Sequence, residues 1–293
     1  MTTFGDLCQR IGKDYRPLAR IASGKIWMIA LCLINQKGGC GKSSSCFHLA
    51  GALAAQGDSV LLIDVDPQGS LSQGFLGSEL VENLAPEQTV ASILNDEEFF
   101  SPQAVIVPTG IEGIALAPAN QHLAPLNVPS PEQLGMAQFA LQTFLAEQSG
   151  FDWVLMDCPP NLFRCSWVAM IAADYVLIPV PPEDFGTQGL RSVHQAIDQA
   201  RRLNSKLRRL GHLVTRCDRR LLIHQAYEQQ LREVYPQLVL ETVIPEAAAF
   251  KVAISCRQPV EQYSPRSPAA QATRALRQEI LNRIAHKRTL KVA

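Results

Sequence analysis

The sequence predicts an α/β fold, a doubly wound, mainly parallel sheet with helices on both faces. Three observations carry this. Apolar runs alternate with helical patterns from residue 26 onward. The runs are apolar at nearly every position rather than at every second one, the mark of strands covered on both faces. The first run also leads through a glycine-rich turn straight into a helical segment.

The elements follow in order. IWMIALCLI (26–34) is a buried strand, and Lys42–Gln56 carries Phe47, Leu49, Ala50, Leu53 and Ala54 on an apolar helix face that Gly57 stops. SVLLIDVD (59–66) is the second strand, and the Ala- and Leu-rich stretch at 115–120 forms another. Pro131–Gln148 reads as a helix, WVLMD (153–157) as a strand, Leu162–Ala172 as a helix, YVLIPV (175–180) as a strand and Thr187–Leu203 as a helix. HLVTRC (212–217), a helix near 223–235, LVLETVIP (238–245) and a helix near 268–286 complete the set. Residues 78–110 and 118–132, rich in Glu or Pro, read as irregular surface excursions. Residues 1–25 form an appendage with loose helical spacing (Phe4, Leu7, Ile11, Leu18), and Met28 is a plausible alternative start. The domain expectation is therefore this appendage followed by one domain over 26–293. Ligands of such sheets bind beyond the carboxyl ends of the strands, and every motif below falls there.

Composition narrows the classes. The chain has 293 residues, 47% hydrophobic and 18% charged, which suits a globular protein with a sizeable core. No apolar run approaches the roughly 18–20 residues of a membrane helix, and MTTFGDLCQR lacks the pattern of a secretory signal. The expected location is the cytoplasm. Eight cysteines include no CxxC pair, which argues against a zinc ribbon or redox dithiol. Net charge is zero but uneven: residues 1–199 hold 9 Lys+Arg against 20 Asp+Glu, and residues 200–293 hold 18 against 7. A basic final third suggests an anionic partner, or simply two regions that neutralise each other within one fold.

The densest motif is INQKGGCGKSSS (34–45). A glycine turn between strand and helix exposes backbone N–H groups to an anion, and the helix dipole favours negative charge there. Gly38, Gly39, Cys40, Gly41, Lys42, Ser43 and Ser44 are the candidate phosphate cradle. Lys42 reaches toward β- and γ-phosphates, and Ser43 offers a hydroxyl to Mg²⁺. The strict pattern GxxxxGK[ST] fails by one residue, because position 36 is Gln36. GCGKSS also approaches the dinucleotide pattern GxGxxG, with Asp64 near the distance expected for a ribose-binding acid. Ser44 in place of the third glycine and the bulk of Lys42 count against that alternative.

Lys37-Gly38-Gly39-Cys40-Gly41-Lys42-Ser43 resembles the deviant Walker A motif, KGGxxK[ST], of the ParA/MinD family of partitioning ATPases. LLIDVDPQGS (61–70), WVLMDCPP (153–160), ADYVLIPV (173–180) and TVIP (242–245) resemble further segments of the ParA (Soj)-like branch, in the right order over roughly 26–285. The resemblance implies a P-loop ATPase with ATP and Mg²⁺ as cofactors. It implies that Lys37 reaches across an ATP-dependent homodimer to the partner's phosphates, that Gly38 stays small where two backbones meet, and that Asp66 positions the attacking water. Asp64 and Asp157 would act around Mg²⁺ beside Ser43, and backbone near Pro245 would read adenine. Slow hydrolysis stimulated by a ParB-like activator, nonspecific DNA binding in the ATP state, and chromosome or plasmid partition are implied with it.

Arg216, Arg219 and Arg220 are the candidate DNA contacts, with Arg201, Arg202, Lys206, Arg208 and Arg209 nearby. Nonspecific DNA binding would place the protein on the nucleoid. The chain departs from the family at IPEAAA (244–249), where arginines are usual, and at Val252-Ala253-Ile254. This leaves open a MinD-like or cargo-positioning role that works at a membrane or through a protein partner. The tail face of Leu276, Ile280, Leu281 and Ile284 lacks an aromatic anchor and suits packing on its own domain, so a membrane is not the expected partner.

Overall fold

The computed structural model describes residues 28–95, 102–129, 131, 134–183 and 187–289. The predicted appendage lies outside them. Among the described residues, eight strands form one sheet: β1 (Ile29–Leu33), β2 (Val60–Asp64), β3 (Val107–Pro108), β4 (Ile114–Ala117), β5 (Trp153–Asp157), β6 (Tyr175–Val180), β7 (Arg208–Cys217) and β8 (Val239–Pro245). Their order is β3-β4-β2-β5-β1-β6-β7-β8, and every pair is parallel except the antiparallel edge β3–β4.

The all-apolar strands fill two cores by alternation, because successive side chains point to opposite faces. Trp153 and Leu155 of β5 enter one core, and Val154 and Met156 enter the other. The first core is covered by α1 (Lys42–Ala54), α2 (Ser70–Leu76) and the C-terminal helix α12 (Pro268–Thr289). The second is covered by α6 (Ala140–Ala146), α7 (Arg164–Ala172) and α8 (Thr187–Leu203). Leu276, Ile280 and Ile284 of α12 are buried and Leu281 is partly buried in the first core, so the amphipathic tail packs on its own domain.

The irregular reading of 78–110 and 118–132 is corrected. Short helices α3 (Ser78–Glu82), α4 (Val90–Leu94) and α5 (Pro102–Val105) and a 3₁₀ turn at Gln121–Leu126 occupy these stretches. Val81, Val90, Ile93, Leu94 and Leu123 are buried there. Helices this short have too few residues to show a 3.6-residue period, and tertiary burial holds them. The helix expected over 131–148 is shorter, a 3₁₀ turn at Gly135–Phe139 leading into α6. The remaining helices are α9 (Leu222–Val234), α10 (Ala248–Ser255) and α11 (Val260–Tyr263).

Candidate functional site

β1 delivers the chain into the glycine turn at Asn35. That side chain donates to the Pro179 carbonyl of β6 at 2.7 Å and accepts from the Lys37 amide at 3.1 Å. Gly39 (φ 69°) and Gly41 (φ 87°) adopt the left-handed conformation, which needs glycine. The Thr215 hydroxyl of β7 donates to the Cys40 carbonyl at 2.7 Å and pins the turn from the far side. Cys40 itself is buried, and burial raises its thiol pKa, so it is a packing residue. Helix α1 starts at Lys42 with no side-chain cap, which leaves its first amides open to an anion.

The two lysines point in opposite directions. Lys42 is buried and folds back into its own turn, donating to the carbonyls of Asn35 and Lys37, each at 3.2 Å. Lys37 points out: its side chain is 43% exposed and meets the Glu183 carboxylate at 2.7 Å. A Cβ built on Gly38 would meet nothing within 4 Å. Any demand for glycine at that position must come from something facing the chain rather than from the chain itself.

Asp64 and Asp157 end neighbouring strands in register and are fully buried. Both Asp157 oxygens lack a hydrogen-bond partner. Burial, then the charge of Asp64, pushes this carboxyl well up, while nearby Ser43 and Lys42 pull it down. A buried carboxylate with no donor is costly, and a divalent cation beside it would remove that cost. Asp157 and Ser43 therefore fit a Mg²⁺ ion held together with phosphate oxygens. Asp64 differs. Its oxygens accept from the Asp66 amide (3.0 Å), the Ser72 amide (2.9 Å) and the Ser72 hydroxyl (2.7 Å). Burial nonetheless raises it to about 7. Asp64 thus clamps the loop that carries Asp66, and the Ser72 hydroxyl accepts in turn from the Ala119 amide at 3.0 Å. Asp66 is nearly buried; burial raises its carboxyl, while the Gln68 amide and the Lys42 charge hold it back.

A cavity of about 480 Å³ lies between the turn and the end of β8, and Lys37, Asp64 and Asp157 are not part of its lining. Gly38, Gly39, Cys40, Gly41, Lys42, Ser43, Ser44, Asp66 and Pro245 all line it, joined by Thr215, Arg216, Glu246 and Lys251. The three arginines foreseen as DNA contacts separate. Arg216 turns onto the glycine turn, with Nη1 donating to the Gly39 carbonyl at 2.9 Å. Arg219 and Arg220 stay outside, and Arg220 pairs with Asp218 at 2.7 Å while its side chain is 89% exposed. Of the upstream basic run, Arg209 is tied to His194 and Asp198, whereas Arg202 and Lys206 are exposed. The sequence reading missed Ser72, Glu183 and Thr215, since each acts through a contact that no local spacing announces.

Residues 28–209 match the AAA domain family. The chain is 35% identical over 255 residues to the chromosome-partitioning ATPase Soj of Thermus thermophilus, covering 87% of this chain and 96% of that one. Among solved structures it is similar to cobyrinic acid a,c-diamide synthase of Mycobacterium smegmatis with a bound ATP analogue and magnesium. That similarity has a TM-score of 0.71 at 28% identity, over 87% of this chain and 95% of that one. It shares its fold with the cell division ATPase MinD of Pyrococcus furiosus, at TM-score 0.68 and 22% identity, over 87% and 99% of the two chains.

Proposed function

We propose, from the premise that the chain belongs to the ParA/MinD family of partitioning ATPases, that it is an ATP-dependent dimerising ATPase that binds DNA without sequence preference in its ATP state. Its work would be chromosome or plasmid partition, in the cytoplasm on the nucleoid, with a ParB-like protein stimulating slow hydrolysis. The dinucleotide alternative falls with the family assignment.

The observation that carries the reading is the opposed pair of lysines. Lys42 lies where it can reach phosphates bound on its own turn. Lys37 stands on the surface, directed away from that cradle. A cation so placed serves the phosphates of a second copy, and open space at Gly38 suits a facing backbone.

Phosphoryl transfer is mostly positioning and electrostatic stabilisation. The amides of the turn and of α1 bind the phosphate oxygens, and Lys42 neutralises them. Ser43 and Asp157 would hold Mg²⁺, which when bound neutralises charge on the β- and γ-oxygens. Asp66 orients the attacking water. Asp64 and Ser72 keep the Asp66 loop in place.

Arg219 and Arg220, exposed just beyond the carboxyl end of β7, are the basic residues offered to DNA phosphates, and such binding falls steeply with salt. The second reading, a MinD-like or cargo-positioning ATPase without DNA binding, draws support from Glu246, which stands where the family carries arginine. Light scattering of Asp66→Ala and of Asp66→Ala/Lys37→Ala with ATP tests the dimer. The single variant is expected to run as a dimer and the double variant as a monomer that still binds nucleotide. Dimers in both would remove Lys37 from the interface.

A further inference from the structure

The cavity has a cation beyond Lys42 of its motif. Arg216 lines it, with Nη1 on the Gly39 carbonyl at 2.9 Å and Nε on Glu246 at 3.0 Å. The other Glu246 oxygen accepts from Lys251 at 2.8 Å. Both cations hold this carboxyl below its usual range. One strap of charged groups therefore runs from α10, through the β8–α10 connection and the end of β7, to the glycine turn.

Two features argue against a surface accident. Arg216 has φ 54°, in the left-handed region that side-chain-bearing residues avoid and that clusters at functional sites. In addition, two cations share one carboxylate, so the strap keeps a net positive charge next to a cradle built for anions. Guanidinium is the side chain best matched to phosphate oxygens. Its pair with Glu246 is partly exposed (side chains 45% and 33%), and such pairs are weak enough to exchange for a ligand.

We propose that Arg216 is a further cationic residue of the nucleotide site beside Lys42, positioned by Glu246, and that it lengthens the residence of a bound nucleoside di- or triphosphate. The inference rests on the ATP-binding reading above. It also gives IPEAAA a role: the glutamate found there in place of a family arginine holds Arg216 over the pocket.

The test is stopped-flow release of N-methylanthraniloyl-ADP and -ATP from the wild type, Arg216→Ala, Arg216→Lys and Glu246→Gln, with thermal melting of each nucleotide-free protein as a folding control. Arg216→Ala should release nucleotide roughly tenfold faster, the scale of one lost hydrogen bond to a charged group, with unchanged melting. Arg216→Lys, lacking the planar fork, should recover only part of the loss. Glu246→Gln should release faster than wild type but slower than Arg216→Ala. Wild-type release from Arg216→Ala overturns the inference alone, and weakened DNA binding in that variant would then return Arg216 to the DNA surface. Slower release from Glu246→Gln overturns the positioning role, because Glu246 would then compete with the nucleotide. A wild type that binds neither nucleotide overturns the ATPase reading and this inference with it.

Discussion

The two ends of the nucleotide cavity are built on opposite principles. Near the ends of β1, β2 and β5, Lys42 at the start of α1, Asp64 and Asp157 at strand ends and Asp66 on the following loop are all buried. At the ends of β7 and β8, Arg216, Glu246 and Lys251 have side chains 45%, 33% and 73% exposed, held in surface ion pairs. Charge at the first end acts strongly, since burial pushes the carboxyls of Asp64, Asp66 and Asp157 up against the pull of their hydrogen bonds and of Lys42. Charge at the second end is screened and exchangeable. In the function proposed above, the first end carries hydrolysis and the second retains the nucleotide.

The largest effect should come from the buried end. Asp66→Ala should lower the turnover rate by at least about a hundredfold, the scale of a lost water-positioning carboxylate, while nucleotide affinity stays near wild type. Single-turnover hydrolysis beside equilibrium binding checks this, and full turnover would move the hydrolytic role elsewhere.

A smaller effect sharpens the contrast through pH. Burial keeps Asp64 protonated in the folded chain up to about 7, against 3.8 in its ordinary state. The folded state then binds more protons across that window, so stability falls as pH rises from about 4 through about 7. Thermal melting of nucleotide- and metal-free protein should show this slope, and Asp64→Asn should flatten it. An equal slope in the variant would assign the effect to other groups, Asp157 first.

The smallest effect belongs to the exposed surface. Arg219→Ala/Arg220→Ala should weaken duplex DNA binding severalfold and reduce the slope of log affinity against log salt by about 1–2, while hydrolysis is unchanged. Loss of hydrolysis in this variant would contradict the division between the two ends.

The same division explains what the sequence made legible. Strands β5 and β6 and helix α8 match their expected bounds, because continuous apolar runs and a long amphipathic period are local signals. The glycine turn between β1 and α1 is equally plain, since its glycines, lysines and serine are contiguous in the chain. The roles of Ser72, Glu183 and Arg216 were not visible. Ser72 works through Asp64 and Ala119, Glu183 through Lys37 at a separation of 146 residues, and Arg216 through Gly39 at 177. Arg216 and Arg220 look alike in a basic run, yet Arg216 reaches the Gly39 carbonyl while Arg220 pairs with Asp218. The short helices over 78–110 escaped because burial, not propensity, holds them.

The most direct test of the account is binding of random-sequence duplex DNA to the full chain with ATP, with ADP and with no nucleotide, across a salt series. The account predicts tight binding with ATP only, falling steeply as salt rises. Binding that ignores the nucleotide, or no binding in any state, would contradict it and favour an ATPase that positions its cargo through a protein or membrane partner.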